Sequence, residues 1–208
     1  MSTQAQTKPR VSILIPVYNT AQYLPRCLAS VQNQTLHEIE IIVVNDASPD
    51  NAAEVLAEYA AKDSRIRIVT HTENRGSLVA RLSGIRAASG EYITFVDADD
   101  ALTPEILASA LGKARASRAD LVHFGVKAEG DAPAAFRSKW EKRNQPCSGP
   151  LLGEQVFDGL FRDRFYSWSI WGKLFRADRC RAGAEFIPPD YCLMAEDFSM
   201  FTAIATCL

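Results

Sequence analysis

The stretch Tyr92-Ile93-Thr94-Phe95-Val96-Asp97-Ala98-Asp99-Asp100 decides how this chain is read. Five residues suited to a strand run directly into three carboxylates. Like charges this close repel, so each carboxylate is costly without a counter-charge. A hard divalent cation supplies one, and Mg²⁺ or Mn²⁺ favours carboxylate oxygen together with phosphate. The plainer alternative is a polar turn in which Asp99 or Asp100 caps whatever follows. Which reading holds depends on what else lies at the same end of the strand.

Working outward, short apolar runs alternate with helical patterns. Upstream, Val11–Ile15 reads as a buried strand ended by Pro16, Ile39–Val44 as a second and Arg65–Thr70 as a third; Tyr92–Val96 is then the fourth. Between them, Leu24, Cys27, Leu28 and Val31 recur at helical spacing, Ser48-Pro49 reads as a cap and first position of the next helix, and Ser77–Ala88 as another, closed by Gly90. Thr103-Pro104-Glu105 repeats the cap-proline-acid start, and Asp120–Val126 reads as a fifth strand. Strands alternating with helices of this length predict an α/β fold, with a mainly parallel sheet covered on both faces. Such sheets hold ligands outside the carboxyl ends of their strands.

Three strand ends therefore matter. After the second strand come Asn45-Asp46-Ala47-Ser48, where Asp46 can accept a hydrogen bond from a base or sugar, or simply shape a loop. After the first come Pro16-Val17-Tyr18-Asn19, where Tyr18 offers a ring face to a nucleobase or covers the edge of the core. The fourth is the acidic run. There is no Gly-x-x-x-x-Gly-Lys and no Gly-x-Gly-x-x-Gly after strand one, which weakens P-loop and dinucleotide readings; a metal on diphosphate oxygens would replace the missing glycine cradle.

Beyond Val126 the periodicity fades. Residues 127–150 read as a loop, hairpin or linker, and a terminal helix is expected from about Glu196. We divide the chain into residues 1–126, a nucleotide-binding βα region, and 127–208, an acceptor-side region of the same domain; the unfinished helix at the end predicts that the native chain continues. The 208 residues are 47% hydrophobic and 23% charged, with 23 basic and 25 acidic side chains and a net charge of −2. That balance argues against a broad nucleic-acid-binding face. The five cysteines form no Cys-x-x-Cys pair, and His37, His71 and His123 are scattered. The longest uncharged stretch, Val11–Pro25, is too short and polar to span a bilayer; the cysteine usage reads as a reducing compartment, and the expected location is cytoplasmic, with peripheral attachment to the inner face of a membrane as the variant.

Together these residues resemble the inverting glycosyltransferases of family 2. The resemblance runs through VSILIPVYN, CLASVQNQT, IEIIVVNDASPDN and ENRGSLVARLSGIRAASGEYITFVDADD, nearly continuous over residues 10–104, and resumes faintly at WGKLF and AEDFSMF. It implies a GT-A fold with a Rossmann-like sheet, and a nucleotide-sugar donor, most simply a UDP-sugar, with Mn²⁺ or Mg²⁺. The acceptor implied is a saccharide or lipid-linked molecule, in work on bacterial surface polysaccharide. By the same resemblance Pro16, Val17, Tyr18 and Asp46 belong to the nucleotide pocket and Arg81 lies near the phosphates. Asp97-Ala98-Asp99 is the Asp-x-Asp element, with Asp97 toward ribose or sugar and Asp99 on the metal. Asp197, after Glu196, is the general base; Trp171 and Lys173 precede it, near the acceptor.

Two departures stand out. The family commonly has Asp-Asp-Gly-Ser where this chain has Asn45-Asp46-Ala47-Ser48, and Arg-Asn where Leu82 follows Arg81. The chemistry is coherent in its own terms: a metal stabilises charge on the departing diphosphate while a carboxylate deprotonates the attacking hydroxyl, and one displacement inverts the anomeric centre. Two alternatives remain at this stage, a nucleotidyltransferase and a non-catalytic sugar-nucleotide binding module.

Overall fold

Six strands make one sheet in the order β3-β2-β1-β4-β6-β5. The computed structural model describes residues 8–159, 167, 169–188 and 196–207. The strands are β1 (Val11–Val17), β2 (Ile39–Asn45), β3 (Ile66–Thr70), β4 (Tyr92–Phe95), β5 (Leu121–His123) and β6 (Lys173–Arg176). The helices are α1 (Leu24–Gln32), α2 (Ala52–Lys62), α3 (Gly76–Ala87), α4 (Ile106–Ser117), α5 (Ala134–Arg143), α6 (Glu154–Phe157), α7 (Ala177–Glu185) and α8 (Glu196–Ala205). Strands β1 to β4 are parallel, and β6 runs antiparallel to both β4 and β5.

The near-continuous apolar runs follow from burial on both faces. Alternation along β1 sends Ile13 and Ile15 to a layer with Leu28 of α1, Leu56 of α2 and Leu107 of α4. It sends Leu14 to the opposite layer with Leu82 of α3, Cys180 of α7 and Ile204 of α8. In that second layer Phe175 sits edge-on between Phe95 and Phe201, with ring centroids 6.1 and 6.3 Å away.

Four expectations change. The fifth strand is three residues long, not Asp120–Val126, because its antiparallel pairing with β6 ends at His123–Lys173, where Gly172 turns the partner away at φ 70°. Strand β6 and helices α5 and α7 went unread. In β6 the apolar signal is only Leu174 and Phe175, which face opposite layers. Neither expected cap-proline pair opens its helix: α2 starts at Ala52, past Ser48 and Pro49, and α4 starts at Ile106, past Thr103 and Pro104. Ser48 Oγ instead donates to Asp50 Oδ1 at 2.6 Å and accepts from Asn19 N at 2.7 Å, and Asp50 Oδ2 accepts from Ala21 N. The loops after β1 and β2 are thereby stapled together. Finally, β1 extends through Pro16 to Val17. Proline has no N–H to give, and pairing with β4 stops at Leu14–Phe95 while pairing with β2 continues to Val17–Asn45. The two central strands thus part company at their carboxyl ends.

Candidate active site

That parting opens a cavity of about 360 Å³. Its lining takes Pro16, Val17 and Tyr18 from the end of β1, Asp46 from the loop after β2, Gly76, Ala80 and Arg81 from α3, and Asp97, Ala98 and Asp99 from the loop after β4. Tyr18, 47% exposed, stands at the rim with its ring accessible. The eight residues expected at the nucleotide and metal positions thus share one crevice.

Asp46 is buried, and its carboxylate is heavily used. It accepts from the backbone N–H of Arg75 and of Gly76, at 3.0 and 2.8 Å, so it anchors the positive start of α3. His71 Nδ1 lies 2.6 Å from Asp46 Oδ1, and His71 Nε2 lies 2.9 Å from Ser83 Oγ. A carboxylate being an acceptor, Nδ1 carries the proton. His71, set aside as scattered, belongs to this site. It stands one residue beyond β3, so strand-end position was the signal that could have found it.

The loop around Asp46 is strained. Asn19 and Ala47 both adopt left-handed backbone, at φ 55° and 53°. Ala47 occupies the place where the family commonly has glycine, the residue that takes this conformation without steric cost. Asn45 Oδ1 accepts from Ser48 N at 2.9 Å and closes the turn.

Arg81 is 5% exposed and joins two distant acids. Its Nη2 meets Asp97 Oδ1 at 2.9 Å and its Nη1 meets Asp197 Oδ1 at 2.5 Å. Asp197 Oδ2 accepts from Ile170 N at 3.4 Å. Through Arg81, the first turn of α8 is brought to the acidic loop, although the residues lie far apart in sequence.

The acidic loop carries a strong negative field. Burial comes first in pushing the Cys27 thiol up to about 12, and Asp100, Asp97 and Asp99 add to it. Asp100 is pushed up to about 6, first by lost hydration of its carboxyl and then by Asp97 and Asp99. Asp99 is exposed, and its carboxylate makes no hydrogen bond or ion pair with the described residues. Among those residues no group of three or more His, Cys, Asp or Glu is arranged to hold a metal. These donors fit a cation bound by one carboxylate and completed by ligand phosphate and water, as Mg²⁺ commonly is.

Lys173 departs from expectation. Placed near the acceptor by the resemblance, it is fully buried in β6. Its ammonium donates to Ser169 O at 2.6 Å, Ser167 O at 2.9 Å and Ser169 Oγ at 3.3 Å. Burial pulls it down to about 7, against the opposing pull of Asp197. Trp171, half-buried, stacks on Trp140 of α5 at 5.4 Å between centroids. Trp168 and Cys192 lie outside the described residues.

A mainly parallel sheet with an Asp-x-Asp loop at its strand-end crevice is the architecture of GT-A sugar-nucleotide enzymes. The family model for glycosyl transferase family 2 matches residues 12–181, and the chain belongs to that family. It is 34% identical over 170 residues to the uncharacterized glycosyltransferase EpsJ of Bacillus subtilis (strain 168), covering 82% of this chain and 48% of that one. The chain thus spans about half the length of that relative. Its fold matches S. aureus TarS in complex with UDP-GlcNAc, with TM-score 0.76, 22% identity, and coverage of 93% of this chain and 52% of that one. It also matches the mannosyltransferase PcManGT of Pyrobaculum calidifontis in complex with GDP-Man and Mn²⁺, with TM-score 0.66, 21% identity, and coverage of 93% and 50%.

Proposed function

We propose that this chain forms the donor-binding and catalytic region of an inverting, metal-dependent glycosyltransferase. It takes a UDP-sugar and transfers the sugar to a saccharide or lipid-linked acceptor of a bacterial surface polysaccharide. The observation that carries this reading is the single crevice in which Tyr18, Asp46 and the Asp97–Asp99 loop face Arg81, with Asp197 tied to the same guanidinium. The TarS and PcManGT complexes, with UDP-GlcNAc and with GDP-Man and Mn²⁺, support a nucleotide-sugar and a divalent metal.

In this reading Tyr18 stacks on the base. Asp46 lies at the base edge while ordering the start of α3, so any base donor shares oxygens already engaged by Arg75, Gly76 and His71. Asp97 orients the ribose or sugar through the oxygen that Arg81 does not hold. Asp99 holds the Mn²⁺ or Mg²⁺. When bound, that ion would stabilise negative charge on the departing diphosphate. Asp197 accepts the proton of the acceptor hydroxyl at Oδ2, a carboxylate oxygen that can take a second hydrogen bond beside the one from Ile170 N. Attack from the face opposite the diphosphate inverts the anomeric carbon. We place the enzyme in the cytoplasm, peripheral to the inner membrane when its acceptor is lipid-linked; among the described residues no helix is long and apolar enough to cross a membrane.

A screen of UDP-, GDP- and dTDP-sugars with Mn²⁺ or Mg²⁺, read by nucleotide release, tests this. Asp99→Ala should lose metal-dependent donor binding, and Asp197→Ala should keep donor binding and lose transfer. Full transfer by Asp197→Ala would remove the proposed base. Failure of every nucleotide-sugar to bind would remove the transferase reading itself.

A further inference from the structure

Lys173 is anomalous on energetic grounds. It sits in a sheet, paired with His123 on one side, with its carbonyl accepting from Thr94 Oγ1 of β4 at 2.8 Å on the other. A side chain with no exposure at such a position is ordinarily apolar, because burying an ammonium is costly even after the surroundings relax. All three of its N–H donors have an oxygen within reach, and each oxygen belongs to the segment Ser167–Ser169. Two are backbone carbonyls outside any helix or strand. Their neighbour, Ile170, turns its N–H onto Asp197 Oδ2.

We infer that Lys173 is a positioning residue for the base: its buried ammonium clamps the Ser167 and Ser169 carbonyls, and this clamp sets the Ile170 N–H that aims Asp197. The inference rests on the reading of Asp197 as the base and adds the device that orients it. Arg81 holds one oxygen of Asp197 from α3, and the clamped loop holds the other. A carboxylate gripped at both oxygens keeps one orientation, which a positioned general base requires.

Among the described residues, the titratable groups facing Lys173 are Asp197 and His123. Asp197 of α8 favours its charged form, and the Phe201 ring lies 5.3 Å from its ammonium. His123 of β5 is pushed down to about 3, by burial first and then by Lys173, so it is neutral near pH 7. Lys173 itself, pulled down to about 7, is charged below that pH and neutral above it. A neutral amine offers two N–H groups to three oxygens and lacks the charge that strengthens them. The clamp therefore loosens as pH rises, and transfer should fall on the alkaline side while nucleotide binding does not.

The experiment compares wild type, Lys173→Met and Asp197→Asn, using UDP with Mn²⁺ for binding and the sugar nucleotide selected by the donor screen for turnover, from about pH 6 to about pH 9. Lys173→Met should bind UDP as wild type does, lose on the order of tenfold to a hundredfold in kcat, and lack the alkaline fall. A kcat equal to wild type with the same alkaline fall overturns the inference. So does a parallel loss of UDP binding, which assigns Lys173 to core packing. Should Lys173→Met not fold, the wild-type profile decides: kcat falling above about pH 7 at constant UDP affinity supports the clamp, and a flat profile overturns it. If Asp197→Asn is inactive but Lys173→Met turns over at the wild-type rate with the same alkaline fall, only this inference fails. If Asp197→Asn transfers normally, the base reading fails and takes the clamp with it.

Discussion

Replacing Arg81 with Met tests the central electrostatic arrangement of the site. The guanidinium is almost wholly buried and touches Asp97 Oδ1 at 2.9 Å and Asp197 Oδ1 at 2.5 Å. Met fills similar space without charge, leaving two carboxylates pointed at the same apolar spot. Breaking a fully buried pair costs about 3–5 kcal/mol. Here the side chains of Asp97 and Asp197 keep 32% and 23% of their exposure, so water recovers part of that loss. The discounted cost is about 2–3 kcal/mol. In a domain of this size that is a fall in Tm of roughly 5–10 °C. Calorimetric unfolding should be run on Arg81→Met, on Asp197→Asn and on the double variant. The double variant should lose less than the sum, with coupling of about 1–2 kcal/mol, because neutralising Asp197 removes one of the two stranded charges. A Tm near that of wild type, or strictly additive losses, would show that Arg81 does not join α8 to the acidic loop.

Three further outcomes follow from local geometry. Ala47→Gly should raise stability by about 0.5–1 kcal/mol in urea unfolding, since an L-residue at φ 53° costs about 1–2 kcal/mol and glycine's greater unfolded freedom offsets part of the relief. Gly183→Ala would place a Cβ 2.7 Å from Ile204 Cα and 2.8 Å from Ile204 N, forcing α7 and α8 apart; stability should fall by about 1–3 kcal/mol, and kcat more than UDP affinity, because α8 carries Asp197. Asp63 is held down at about 2, chiefly by its hydrogen bond from Arg65, below its ordinary 3.8. Its folded-state pKa being depressed, its contribution of about 1–2 kcal/mol is complete above the unfolded value and disappears as pH falls through the folded one. Wild type should therefore exceed Asp63→Asn in stability at pH 5, and the gap should close by about pH 2 in an acid-unfolding series.

Much of the parallel half was legible because its strands are buried on both faces. Burial of that kind writes a continuous apolar run into the sequence, as in Val11–Ile15 and Ile39–Val44. The antiparallel half left no such trace. Strand β6 has two apolar residues between a buried lysine and a half-buried arginine, and β5 is a short edge. Helix α5 buries no residue, so it carries no apolar stripe to read.

By itself the sequence determined that Tyr18, Asp46 and Asp97–Asp99 follow strands, and in a parallel sheet residues at strand ends emerge on one side. Placing Asp197 needed the family resemblance, since an acid in the first turn of a helix is ordinary in its own right. Only the tertiary structure decided that Arg81 spans Asp97 and Asp197, that His71 and the α3 amides saturate Asp46, and that Lys173 is buried under the loop beside Asp197. Each of those contacts joins residues from different elements. Periodicity and spacing record how one element meets the core, whereas a guanidinium reaching two carboxylates depends on where whole helices come to rest against a shared sheet.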